Sequence, residues 1–229
     1  MSQTPLPYID VHTHHINQKS DIVSVRNLFP GDNFAAFNGK NFLSVGLHPW
    51  CLKSKEENNE ALELAEDALE FDHVIFVGET GPDPNAETNF DEQIRVFEAQ
   101  AFMAEEYDKP MIIHCVKAYN EVIRIHKKLH PRQPWILHGY NGNLQETEQL
   151  SKANFLFSFG AFLFNKKAKA LDSYKHLPVD RIFFETDESE YELKNIYSQG
   201  ALLKNIAVEE LKEKVWENFN RLENVKWTG

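Results

Sequence analysis

Short apolar runs alternate with longer amphipathic stretches along almost the whole chain, and this alternation constrains the fold more than any other feature. Residues 8–12, 22–28, 41–47, 73–78, 110–114, 134–138, 154–160 and 180–186 read as strands, rich in β-branched and aromatic side chains. Helical spacing of Leu, Ala and other apolar residues marks 57–70, 92–107 and 119–129 between them, and 208–222 at the close. Strands that alternate with helices predict a parallel sheet closed into a TIM-like (β/α)8 barrel. The first crossover is too short for a helix, since only seven residues separate His14 from Ile22, so that helix should be reduced to a turn. An open doubly wound sheet is the competing arrangement, but no Gly-rich phosphate loop follows the first strand. No Pro/Gly/Ser-rich linker interrupts the 229 residues, which predicts a single domain over 1–229.

The polar residues of these strands fall at their C-terminal ends. His12 and His14 close the first strand in DVHTH, Glu79 the fourth, His114 the fifth, His138 the sixth and Asp187 the last. In a barrel those tips converge on one mouth, where barrel active sites lie. Side-chain alternation puts Asp10, His12 and His14 on the interior face, with Ile9 and Val11 turned to the helices. The same parity puts Glu185 inside below Asp187 and turns Cys115 away as a packing residue. Imidazole and carboxylate together suit borderline divalent ions. Six ligands are too many for one catalytic ion with an open position, so two ions (Zn, Mg or Mn) sharing a carboxylate are expected. A water between them would have its pKa lowered toward ~7.

Charge bears on the substrate. Lys and Arg number 24 against 35 Asp and Glu, a net charge of −11. Such a surface repels nucleic acid at long range, so a polyanion must be attracted locally. Two ions outweigh the charge of the two carboxylates, which makes the mouth positive and suited to phosphate. Lys117, Lys166 and Lys167 fall in loops after the fifth and seventh strands and are candidate phosphate contacts. Two cysteines without a pairing pattern, no apolar leader and no membrane-length apolar run predict a cytoplasmic protein without membrane association. No protein partner is predicted.

Taken in order, DVHTH (10–14), VGLHP (45–49), VGETGPD (77–83), PMIIHC (110–115), LHGYNG (137–142), FSFGAFLF (157–164) and FETD (184–187) resemble the TatD family of metal-dependent deoxyribonucleases, within the amidohydrolase-like barrels. The resemblance implies that His12, His14 and Asp187 hold one ion and His114 and His138 another, with Glu79 bridging. It implies phosphodiester cleavage in DNA, with Glu79 and Asp187 as catalytic residues and Asp187 accepting the proton of the attacking water. His48 would contact substrate or fix the turn before Pro49. The chain departs from the family at three places. Val116 replaces the usual Arg after the strand-five His, with Lys117 beside it. Glu188-Ser189 replaces Ala-Pro after ETD, and the following segment is shortened to 191–205. The expected activity is therefore a metal-dependent phosphodiesterase acting on single-stranded DNA or DNA ends. Hydrolysis of a small ester, amide or phosphate is the alternative.

Overall fold

The computed structural model describes residues 5–34 and 41–222. Eight parallel strands form one sheet in chain order: β1 (Tyr8–Thr13), β2 (Ile22–Leu28), β3 (Phe42–Val45), β4 (Val74–Thr80), β5 (Met111–Ile113), β6 (Trp135–Leu137), β7 (Leu156–Phe159) and β8 (Ile182–Phe184). Outside them lie α1 (Lys55–Leu69), α2 (Phe90–Glu106), α3 (Tyr119–Leu129), α4 (Leu144–Lys152), α5 (Ala170–His176), α6 (Leu193–Lys204) and α7 (Val208–Arg221). The architecture is the expected TIM-like barrel, and residues 14–21 join β1 to β2 without a helix. No helix among the described residues is long and apolar enough to cross a membrane.

Several strands are shorter than the sequence predicts. β5, β6 and β8 end at Ile113, Leu137 and Phe184, so His114 and His138 lie one residue past their strands and Asp187 three residues past. Glu79, in contrast, lies inside β4. The helices α4, α5 and α6 were not among the predicted patterns. α4 announces itself by its cap: Asn143 accepts from the Glu146 amide while the Glu146 side chain accepts from Asn143 N–H. Its mostly polar sequence, LQETEQLSK, hides the apolar period.

Past the end of β8, Asp187 meets β1 through an isolated backbone bridge to Thr13, the one such bridge among the described residues. Buried backbone groups along such a seam need other partners. Asp187 N–H donates to His12 O (3.1 Å), and His14 N–H donates to Asp187 O (3.3 Å). Deeper down, the Asp10 carboxylate accepts from Thr186 N–H (2.9 Å) and the Thr186 hydroxyl (2.7 Å). At Ile9 the Tyr197 hydroxyl, brought in by α6, accepts from the amide (3.1 Å) and donates to the carbonyl (2.9 Å). Side chains thus do at this seam what a strand ladder does elsewhere. The segment 191–205, shortened relative to the family, carries this seam-closing helix.

Candidate metal centre

The close approach of β4 and β5 fixes the middle of the centre. A Cβ on Gly78 would come within 2.2 Å of Ile112 O, and one on Gly81 within 1.9 Å of His114 O, and both residues have positive φ. Only glycine fits on either side of Glu79 and Thr80. Asn27 Oδ1, from β2, accepts from Glu79 N–H at 2.7 Å and so sets the carboxylate's starting point. The β1 residues arrive by a different device. The backbone exchange at the seam locks Asp187, with φ of 53°, against His12 and His14.

Glu79 then has imidazoles on both of its oxygens. Oε1 lies 2.7 Å from His138 Nε2, 3.0 Å from His114 Nδ1 and 3.3 Å from His48 Nε2. Oε2 lies 3.5 Å from His12 Nε2 and 3.6 Å from His14 Nε2. Asp187 Oδ1 faces the same two β1 nitrogens at 3.6 and 3.7 Å. Among the described residues the ligand-bearing atoms form four overlapping sets: His12, His14 and Asp187; Glu79 with His12 and His138; Glu79 with His48 and His114; and Asp187 with His138 and Glu185.

The donor set fits a divalent cation. Both ring nitrogens of His12 and of His138 are buried without an aligned hydrogen bond, although carboxylates lie beside them. Burial opposes a charge on His12 and the neighbouring His138 repels it, yet Asp187 and Glu79 draw its pKa up to about 9. His138 is likewise raised against burial, by Glu79 and Glu185. Glu79 is held well below the ordinary carboxylate range despite burial, chiefly by His138, His114 and His12. The field at this mouth selects positive charge, and metal ligation by neutral imidazole would release protons held there.

Two carboxylates stand behind the histidines. Asp83 Oδ2 lies 3.1 Å from His114 Nε2, and Glu185 Oε1 lies 3.6 Å from His138 Nδ1. Carboxylates behind a ligating imidazole fix its tautomer and ring orientation. Strand parity predicts Glu185 inside, whereas Asp83 stands in the sequence only as the last residue of VGETGPD. Its signal is its place four residues after Glu79. Cys115, expected to turn away from the site, is buried, its thiol raised by desolvation to about 12, but it also borders the cavity beside His114.

His48 has a larger part than the sequence suggested. Its Nδ1 accepts from Trp50 N–H at 3.3 Å and fixes the turn at Pro49, while Nε2 reaches Glu79. Its ring thus lies in the cluster around Glu79. A cavity of about 560 Å³ opens beside His114, His138 and Asp187, lined also by Lys117, Lys167, Lys169, Glu146 and Phe162. Lys117 and Lys167 therefore lie where a phosphate contact was expected. Lys166 does not line this cavity; Lys167, Ala168 and Lys169 do.

Comparison with known proteins agrees with this architecture. The chain is 28% identical over 164 residues to the metal-dependent hydrolase YjjV of Escherichia coli (strain K12), covering 69% of this chain and 62%, less than two thirds, of that protein. It is 28% identical over 152 residues to the 3'-5' ssDNA/RNA exonuclease TatD of Pectobacterium carotovorum, covering 63% of this chain and 56% of that one. The crystal structure of YjjV superposes with a TM-score of 0.82 at 21% identity, covering 96% of this chain and 98% of that one. The model of the TatD-related DNase family matches residues 31–224. An eight-stranded barrel with histidines and carboxylates gathered at its mouth, together with that match, makes the chain a member of the TatD-related DNase family of metal-dependent hydrolases.

Proposed function

We propose that the chain is a two-metal phosphodiesterase that trims single-stranded nucleic acid from an end. The observation that carries the two-ion reading is the split of Glu79, with one oxygen toward His12 and His14 and the other toward His114 and His138. One carboxylate shared between two imidazole sets is the arrangement a bridging ligand needs. Divalent ions held there supply positive charge for the phosphoryl oxygens and bring a water's pKa toward neutrality.

The remaining steps belong to the protein. Asp187, with its side chain 40% exposed and its backbone locked to β1, borders the cavity and can accept a proton there. Lys117, Lys167 and Lys169 offset phosphate charge along the cavity wall, while Glu146 limits how much polyanion the wall holds. Three lysines on a chain of net charge −11 support a short stretch of strand rather than a long duplex. The relative named as a 3'-5' ssDNA/RNA exonuclease supports the same substrate class.

The test combines metal analysis with cleavage. Protein reconstituted with Mg²⁺, Mn²⁺ or Zn²⁺ should bind two ions per chain and shorten end-labelled linear single strands, leaving circular single strands intact. Asp187→Ala should be inactive in the same preparation. A plateau at one ion overturns the two-metal reading, and equal cutting of circles overturns the exonuclease reading. No cutting with any metal would point to the small-substrate alternative.

A further inference from the structure

Trp50 is an exposed aromatic tied to the metal centre at two points. Its side chain is 65% exposed, yet its indole Nε1–H donates to Asp83 Oδ2 at 2.7 Å. That same oxygen lies 3.1 Å from His114 Nε2, and His114 Nδ1 lies 3.0 Å from Glu79 Oε1. From its other end, Trp50 N–H donates to His48 Nδ1, and His48 Nε2 lies 3.3 Å from the same Glu79 oxygen. Two chains of contacts therefore leave Trp50 and close on one carboxylate oxygen. Such anchoring fixes the plane of a large apolar ring while leaving most of its surface in water. Anchoring of that kind stabilises no core.

We propose that Trp50 is a stacking platform for the nucleobase next to the phosphodiester being cut, an inference that rests on the phosphodiesterase reading above. Three observations favour a nucleobase. The indole is a flat π-surface, and base–aromatic stacking attracts any base without needing cationic charge. The chain is poor in cations overall, so affinity for a strand has to come largely from somewhere other than counterion release. Lys117, Lys167 and Lys169 lie on the cavity side of His114, whereas Trp50 is reached through Asp83 from that ring's Nε2. A strand can thus lay phosphates along the lysines and a base on the indole, with the scissile linkage between them. Phe29 and Phe162, also exposed and also in loops past strand C-terminal ends, add apolar surface to the same face.

The test pairs a side-chain change with a base deletion. Wild type, Trp50→Ala and Trp50→Phe, each metal-loaded, are compared on a short single strand with intact terminal bases and on one with abasic terminal residues. Trp50→Ala should raise KM for the intact strand roughly tenfold above that of Trp50→Phe, as loss of one stack would. On the abasic strand the Ala and Phe variants, which both lose the bond to Asp83, should match each other. Trp50→Phe, which keeps a ring but loses the bond to Asp83, should keep most of the affinity for intact strands. Independently of turnover, a cleavage-resistant phosphorothioate oligothymidylate should quench indole emission in wild type and not in Trp50→Phe. Equal losses on intact and abasic strands would overturn the proposal, placing Trp50 as support for Asp83 and His114 only. Absence of the quench would overturn it too. A quench without cleavage would leave the stacking site standing and remove the nuclease reading instead.

Discussion

His114 and His138, just past β5 and β6, each have a carboxylate on the ring nitrogen that faces away from Glu79, Asp83 at 3.1 Å and Glu185 at 3.6 Å. His12, on β1, has no such support: its Nδ1 is buried without a hydrogen-bond partner. What fixes the β1 side is backbone, the exchange of Asp187 with His12 and His14 across the seam. One half of the centre is oriented by side chains behind it, the other by the closure of the barrel. The lesson concerns where mutations should be felt. Change behind the β5/β6 half should reach the metal directly, whereas change behind the β1/β8 half should reach it through the stability of the fold.

Glu79→Ala removes the carboxylate whose two oxygens face both halves, so turnover should fall to background with the melting temperature little changed. Metal analysis alongside end-labelled cleavage checks this, and retained activity would mean that the halves do not share a ligand. Asp83→Asn and Glu185→Gln should each weaken metal affinity by about 10–100-fold, read by competition with a chelating dye. Equal effects from Asp10→Asn would break the contrast, because Asp10 spends its carboxylate on Thr186 at the seam.

Tyr197→Phe should test the seam alone. It strands the buried amide and carbonyl of Ile9, at a cost of about 1–3 kcal/mol, visible in denaturant unfolding, while metal affinity stays near wild type. An unchanged midpoint would show that the seam does not depend on that hydroxyl.

The smallest effect lies outside both halves and serves as a control on acid sensitivity. His126 packs on Trp135 and Phe155, and burial, with His130 nearby, depresses its pKa from 6.5 to about 4. The unfolded chain then binds the proton that the folded chain refuses, so stability falls as pH drops from about 6.5 to about 4. His126→Gln should flatten that part of the melting curve and leave metal affinity alone. A variant curve parallel to wild type over this window would rule His126 out as its source.

The sequence alone determined the barrel and proposed the candidate ligands, because both readings rest on local periods. Apolar runs of strand length between helical repeats specify alternating β and α elements, and parity along DVHTH puts His12 and His14 on one face of β1. Strand-end positions did the same for Glu79, His114, His138 and Asp187. α6 was less legible, because its core face includes Gly200, which breaks the apolar rhythm yet leaves room where a Cβ would meet Phe184 and Tyr174 at 2.7 Å. Only the tertiary structure decided how the seam closes, which oxygen of Glu79 serves which histidines, and that Asp83, His48 and Trp50 join the centre. Tyr197 lies 188 residues from Ile9, and Trp50 lies 33 from Asp83. Contacts at such separations have no period to betray them. They depend on how closely the strands approach and where each loop turns back, and those are set by packing of the whole barrel.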